Sequence, residues 1–200
     1  MPLVTPGAPP AGYTFAPLQP GMSYFEDAAR LYLATWPDDL AGGQWGIIDF
    51  FTRYAGRPEY HGLVALREGV VVGFGFGARS ESGQWWHDRV AERVGADHLA
   101  LQDAWGLVDL VVASHHQGRG VGSALMETLL AAQPCPRALL STEVANTGAQ
   151  RLYTRYGWSV LHPGFAFNPG DKPYLVMRRE LAVGRSSRVG RVGRVGRMIE

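Results

Sequence analysis

The run Gln117-Gly118-Arg119-Gly120-Val121-Gly122-Ser123 carries a glycine at every second position and leads into an apolar periodic stretch with no lysine beside it. Side-chain-free positions let a ligand come close to the backbone. Where such a run opens a helix, amides without intrahelical partners and the positive end of the helix dipole attract an anion, phosphate above all. The chemistry on offer is a cradle of N–H groups from Gly118 to Ser123; the bland alternative is a glycine-rich turn with no ligand. A nucleoside triphosphate loop needs Gly-Lys-Ser/Thr, whereas Gly122 is followed directly by Ser123. A dinucleotide fingerprint needs a wider final glycine spacing at the head of a doubly wound sheet. Both nucleotide readings weaken.

Four other residue types bear on reactivity. Asp109 is a carboxylate inside the apolar run Leu107 to Ala113. A buried charge is costly, so Asp109 is either a general base or substrate anchor, or a carboxylate paired with an arginine or set on a solvated strand face. Tyr153 shares a helical stripe with Ala149, Leu152 and Tyr156, a spacing that by itself suits a core. His115 and His116 sit at the mouth of the glycine loop, where surface positions or anion contacts fit better than a base. Two adjacent histidines with no second cluster make a poor metal site, and no metal is expected. Cys135, between Pro134 and Pro136, rules out an internal disulfide and points to a reducing, cytoplasmic setting.

The elements that must hold these groups alternate. Tyr13 to Gln19 reads as a first, proline-bearing edge strand. Ser23 to Thr35 and Trp45 to Tyr54 read as helices, with Ser23 as the cap of the first. His61 to Arg67 and Val70 to Gly77 form a hairpin about Glu68-Gly69. Within the polar interlude Arg79 to Asp103, Trp86, Val90 and Val94 recur four apart and indicate a short helix. Leu107 to Ala113 is a buried central strand and Val121 to Gln133 an amphipathic helix. Ala138 to Glu143 is a strand, and Thr147 to Tyr156 a helix capped by Asn146 and stopped by Gly157. Trp158 to Leu161 and Tyr174 to Leu181 complete a mixed α/β domain, antiparallel in front and strand-helix-strand-helix behind.

With those elements in place, Gln117 to Gly122 matches the Gln/Arg-x-x-Gly-x-Gly/Ala signature of the GCN5-related N-acetyltransferases (GNAT). Asn146 to Trp158, NTGAQRLYTRYGW, resembles that family's second motif, Asn-x-x-Ala-x-x-Leu-Tyr-x-x-x-Gly-Phe/Trp. The resemblance covers about Tyr13 to Leu181. It implies the GNAT acyl-CoA N-acyltransferase fold, in which two central strands splay apart and the pantetheine of acetyl-CoA fills the gap. The backbone of Leu110, Val111 and Val112 would bond the pantetheine, and the Leu110 N–H would stabilise negative charge on the thioester oxygen. Gln117, Gly118, Arg119, Gly120, Val121, Gly122 and Ser123 would hold the pyrophosphate, with Asn146 and Tyr153 also at the cofactor. Tyr153 would protonate the departing thiolate, and Asp109 is the candidate base. The implied reaction is direct acetyl transfer to a primary amine of a small molecule or peptide. The rival is a non-catalytic acyl-CoA-binding sensor or interaction module on the same fold. A homodimer accords with family habit, though no interface is legible.

Composition sets the outer bounds. Two hundred residues, 46% of them hydrophobic, suffice for one core, expected to span residues 1–183 with 1–12 flexible. No apolar run approaches the ~18 residues of a membrane span. Residues 184–200 form an Arg-Val-Gly repeat carrying five arginines and one glutamate, expected to be disordered and giving little support to nucleic-acid binding. The net +1 therefore splits into +4 in this tail and −3 in the body, the latter compatible with a cationic amine. Eighteen arginines against one lysine suggest a GC-rich bacterial source. Trp36, Trp45, Trp85, Trp86 and Trp105 fall in or near the variable segments, where they either wall an acceptor pocket or pack as core.

Overall fold

The structure, a computed structural model, describes residues 7–37 and 43–181. The tail expectation and that for the first six residues lie outside the described residues. In chain order the elements are β1 (Thr14–Pro17), α1 (Ser23–Thr35), α2 (Gly43–Ala55), β2 (His61–Arg67), β3 (Val70–Ser80) and α3 (Trp85–Val94). They continue with β4 (Ala104–Val112), α4 (Val121–Ala131), β5 (Arg137–Glu143), α5 (Thr147–Arg155), β6 (Ser159–Phe165) and β7 (Tyr174–Glu180). Seven strands make one sheet in the order β1-β2-β3-β4-β5-β7-β6, so the proline-bearing β1 does lie at an edge. No helix among the described residues is long and apolar enough to cross a membrane.

Local chemistry explains the joints. Glu68 and Gly69 both take positive φ, 52° and 81°, as a two-residue hairpin turn matched to strand twist requires. α1 differs from expectation: Ser23 is its first residue, and Met22 occupies the cap position without a side-chain bond. α5 follows expectation at both ends. The Asn146 carboxamide oxygen accepts from the Ala149 amide at 3.0 Å. At the other end Gly157 adopts φ 81°, Gly157 N–H donates to Thr154 O and Trp158 N–H to Tyr153 O, both at 3.1 Å. This pair of bonds closes the last turn, as glycine-terminated helices commonly do.

The sheet divides two apolar layers. On one face α4 and α5 bury Val121, Leu125, Met126, Leu129 and Tyr153 against Trp105, Leu107 and Leu140. On the other, α1 and α2 bury Phe25, Ala28 and Phe51 against Phe74, Phe76 and Val111. A third cluster joins Val90 of α3 to Leu139 and Phe167. Trp105 is fully buried and its indole N–H donates to Glu59 O at 3.1 Å, which resolves its two readings in favour of core.

The central pairing is short. β4 runs parallel to β5 only through Ala104↔Arg137, Trp105↔Ala138 and Gly106↔Leu139. Past that seam β5 stays paired to β7 as far as Glu143↔Tyr174, while β4 stays paired to β3 as far as Val112↔Gly73. The two strands thus diverge above Gly106 and Leu139.

Candidate active site

The divergence opens a cleft of about 720 Å³. Val108, Asp109 and Leu110 line it from β4, Ser141, Thr142 and Glu143 from β5, and Asn146, Ala149 and Tyr153 from α5 and its cap. Tyr32 and Trp36 border it from α1 and its end. Of the residues singled out from the sequence, Asp109, Leu110, Asn146 and Tyr153 therefore meet in one cavity. Val111 does not line it: its side chain is 2% exposed and packs under α1 and α2. Val112 lies at the far end of β4, half-buried beside α4.

Asp109 reaches the cleft because β4 is irregular. Phe76 pairs with Asp109 but Gly77 with Leu107, so Val108 is an extra residue on β4. Trp105 and Leu107 before this bulge face α4; after it Leu110 and Val112 do. Asp109 stands opposite Phe76, on the face of α1 and α2.

Tyr153 is fixed from two sides. Its carbonyl accepts the Trp158 amide, and its ring lies 5.9 Å from the Trp158 ring, centroid to centroid. The side chain is buried, which pushes the phenol up to about 12, with the Asp109 charge adding to the shift. Tyr153 therefore keeps its proton throughout the neutral range. A phenol at that level is a weaker acid than an ordinary thiol near 8.5, so toward a thiolate it is suited to donate a hydrogen bond and not to give up its proton.

The glycine loop lies between β4 and α4. The Gln117 carboxamide donates to Val112 O at 2.9 Å and folds the loop back onto its strand. Gly118 and Gly120 take φ 71° and 83°, and Gly120 is the cap residue of α4. The first bond at that helix end is Ala124 N–H to Gly120 O at 3.0 Å, with the Ser123 hydroxyl on the same oxygen at 2.9 Å. The amides ahead of Ala124 are those left free by helix geometry. Gly118, Arg119 and Gly120 are exposed, Gly122 and Ser123 half-exposed, and the Val121 side chain is buried in the core beneath. His116 Nδ1 lies 3.0 Å from the Tyr13 hydroxyl, tying the loop mouth to the chain ahead of β1, and His115 is exposed. Cys135 lies apart from the cleft: its thiol donates to Glu59 Oε2 at 2.9 Å and is pushed up to about 12, chiefly by burial.

Several cleft neighbours carried no local signal in the sequence. Ser141 accepts from the Trp86 indole N–H at 3.0 Å, which brings α3 to the cleft wall. Tyr54, at the end of α2, has its phenol raised by burial, with opposing influences from Arg57 and Asp109. Only the tertiary fold brings α2, α3 and β5 together here. Trp45 and Trp85 are exposed and line no part of the cleft, unlike Trp36 and Trp86, which border the cleft and an adjoining cavity.

Comparison with known proteins adds a third line. The model of the Acetyltransferase (GNAT) family matches residues 25–158. A GCN5-like protein acetyltransferase of Mycobacterium tuberculosis is 31% identical over 126 residues, which cover 58% of this chain and 61% of that protein. The match thus spans less than two thirds of that relative. Among solved structures, an aminoglycoside 6'-N-acetyltransferase complexed with coenzyme A superposes with a TM-score of 0.59 at 15% identity, over 84% of this chain and 96% of that one. An acetyltransferase of the GNAT family from Staphylococcus aureus gives 0.58 at 14% identity, over 84% and 100%. At these identities the structural likeness establishes the fold.

Proposed function

Because the chain belongs to the GNAT acetyltransferase family, we propose that it transfers the acetyl group of acetyl-CoA directly to a primary amine of a small molecule or peptide. The observation that carries this reading is the gap in the sheet: two strand edges left unpaired above Gly106 and Leu139, with Asp109, Leu110 and Tyr153 in the same cleft. An extended pantetheine has the hydrogen-bonding pattern to sit beside such edges, much as an added strand does. The loop amides from Gly118 to Ser123 suit a pyrophosphate, and Gln117, Arg119 and Val121 form the frame that presents them. Val112 contributes through backbone alone, the Val111 backbone being turned toward β3, and Asn146 holds the start of α5 at the cleft edge.

The residues divide the reaction as follows. Asp109 takes the proton of the acceptor ammonium, and the free amine attacks the thioester carbonyl. The Leu110 N–H faces the carbonyl oxygen and stabilises the charge that builds on it. The Tyr153 hydroxyl donates a hydrogen bond to the sulfur as the carbon–sulfur bond breaks, and the departing thiolate takes the second proton from the acylated nitrogen, leaving the amide and CoA thiol. Holding both reactants in one cleft supplies much of the rate.

Release of CoA thiol, followed with a colorimetric thiol reagent across a panel of primary amines, tests the proposal. Amine-dependent release that falls sharply in Asp109→Asn supports it. Tight acetyl-CoA binding with no release for any amine would leave instead the non-catalytic binding module.

A further inference from the structure

A smaller cavity of about 80 Å³ adjoins the cleft and shares Val108 and Ser141 with it. Tyr54 at the end of α2, Arg57 just beyond it, the α3 cap residue Gln84 and Trp86 of α3 supply its walls. Val108 directly precedes Asp109 on β4, so this cavity opens beside the proposed base.

The two arginines that line it differ. Arg79 meets three carboxylates: Glu59 at 3.1 Å, Asp103 at 3.0 Å and Glu81 at 3.9 Å. Arg57 takes part in none of the ion pairs among the described residues. Its partners are neutral. The guanidinium carbon lies 3.9 Å from the Tyr54 ring centre, and Nη1 donates weakly to Gln84 Oε1 at 3.5 Å. A half-buried guanidinium resting on an aromatic face is oriented but not neutralised, and it retains donors in a planar fork that fits a carboxylate.

We infer that the acceptor carries a carboxylate as well as its amine, with Arg57 binding the carboxylate in the small cavity while the amine faces Asp109. This rests on the proposed acetyl transfer and narrows its substrate class to amino-acid-like amines. Cation and anion then stand at opposite ends of the acceptor site, complementary to a zwitterion. A polyamine reaching into the same cavity would set a second ammonium against Arg57, a like-charge contact. The local charge thus outweighs the net −3 of the body, which by itself suits a purely cationic amine.

The test is calorimetric and independent of turnover. N-acetylated glycine, leucine and phenylalanine, each as free carboxylate and as carboxamide, are titrated into the protein saturated with CoA. The carboxylate form of at least one should bind about 10- to 100-fold more tightly than its carboxamide, as a charge-assisted bond implies. Arg57→Gln should erase the difference and Arg57→Lys should keep part of it, with thermal melts confirming that both variants fold. Equal binding of the two forms, a preference that survives Arg57→Gln, or no binding of any of the six overturns the inference. Saturation with CoA is measured first in the same cell. Its failure would sink the cofactor reading and this inference with it, whereas CoA binding without a carboxylate preference sinks the inference alone.

Discussion

Replacing Gly120 in turn by glutamine and by glutamate separates the backbone's part in anion binding from that of charge. Gly120 sits at φ 83°, so any L residue there costs about 1–2 kcal/mol of strain. A Cβ would meet nothing closer than Pro10 Cγ at 3.7 Å, an ordinary contact, so no steric cost adds to it. For a chain of this length both variants should melt about 2–8 °C lower, and by the same amount. They diverge in affinity. A carboxylate about 5 Å from a bound phosphate repels it by about 1–3 kcal/mol at effective dielectric constants between water and protein surface. Gly120→Glu should therefore bind acetyl-CoA about 5- to 200-fold more weakly than Gly120→Gln, with the gap closing as salt screens it. Calorimetric titration at low and high ionic strength reads both effects. Gly122→Ala is the internal control. Its site has no positive φ and meets Val112 Cγ2 at 3.4 Å, and the family signature admits alanine, so affinity should hold. Equal affinities of the Gln and Glu variants at low salt would refute the placement of the pyrophosphate against this loop.

Tyr153→Phe keeps the ring against Trp158 and removes one charge-assisted donor, so kcat should fall about 10- to 150-fold with the melting temperature little changed; a fall beyond about a thousandfold would mean that full proton transfer matters. Gly77→Ala would place a Cβ 2.1 Å from Gly106 O and 2.6 Å from the Trp105 ring, at the seam where β4 still pairs with β5, and should cost about 3 kcal/mol or more in urea melts. Stability should also fall at alkaline pH. Burial raises the folded values of Cys135 and Tyr153 to about 12 from 9.0 and 10.0, so the stabilisation they give is whole below about pH 9 and lost as pH rises toward 12. Burial lowers His61 and His87 from 6.5, so their share is present above that value and lost as pH falls below it. Urea melts from pH 5 to pH 11 should therefore show a maximum between about 7 and 9, and a flat profile to pH 11 would contradict the burial of these groups.

The legible parts of this protein are those in which one short segment determines its own geometry. The glycine loop is such a segment: spacing alone identifies Gly118 and Gly120 as backbone positions, and the structure gives both positive φ. The ends of α5 are another, with Asn146 and Gly157 acting at once as caps and as motif positions. Asp109 stood out as the one carboxylate in an apolar strand, although nothing nearby tells which face it takes. Trp105 was ambiguous because a tryptophan at a strand's start suits a rim as well as a core, and only β2, β3 and α4 closing around it decide. Arg57 was silent. It follows a helix end before Pro58 like many surface arginines, and its interest lies in carboxylates that, among the described residues, pair with Arg79 and not with Arg57.

The bulge at Val108 shows how a few ångströms of backbone turn a strand into a reactive edge. Side chains alternate along a strand, so Asp109 in an unbroken β4 would share the face of Trp105 and Leu107 and point its charge into the layer under α4. One extra residue reverses the alternation, hands that face to Leu110 and Val112, and leaves Asp109 opposite Phe76, within electrostatic reach of both Tyr54 and Tyr153. The same few residues lie just past Gly106, where pairing with β5 stops. Irregularity against β3 and separation from β5 thus fall at one height of the sheet. Below it, Gly77 and Trp105 hold the strands together; above it, a carboxylate, a strand amide and a phenol face a common gap. A cleft that needs exposed strand edges is stable only if the pairing beneath it is well made, and for that reason the close contacts at Gly77 belong to the site as much as to the core.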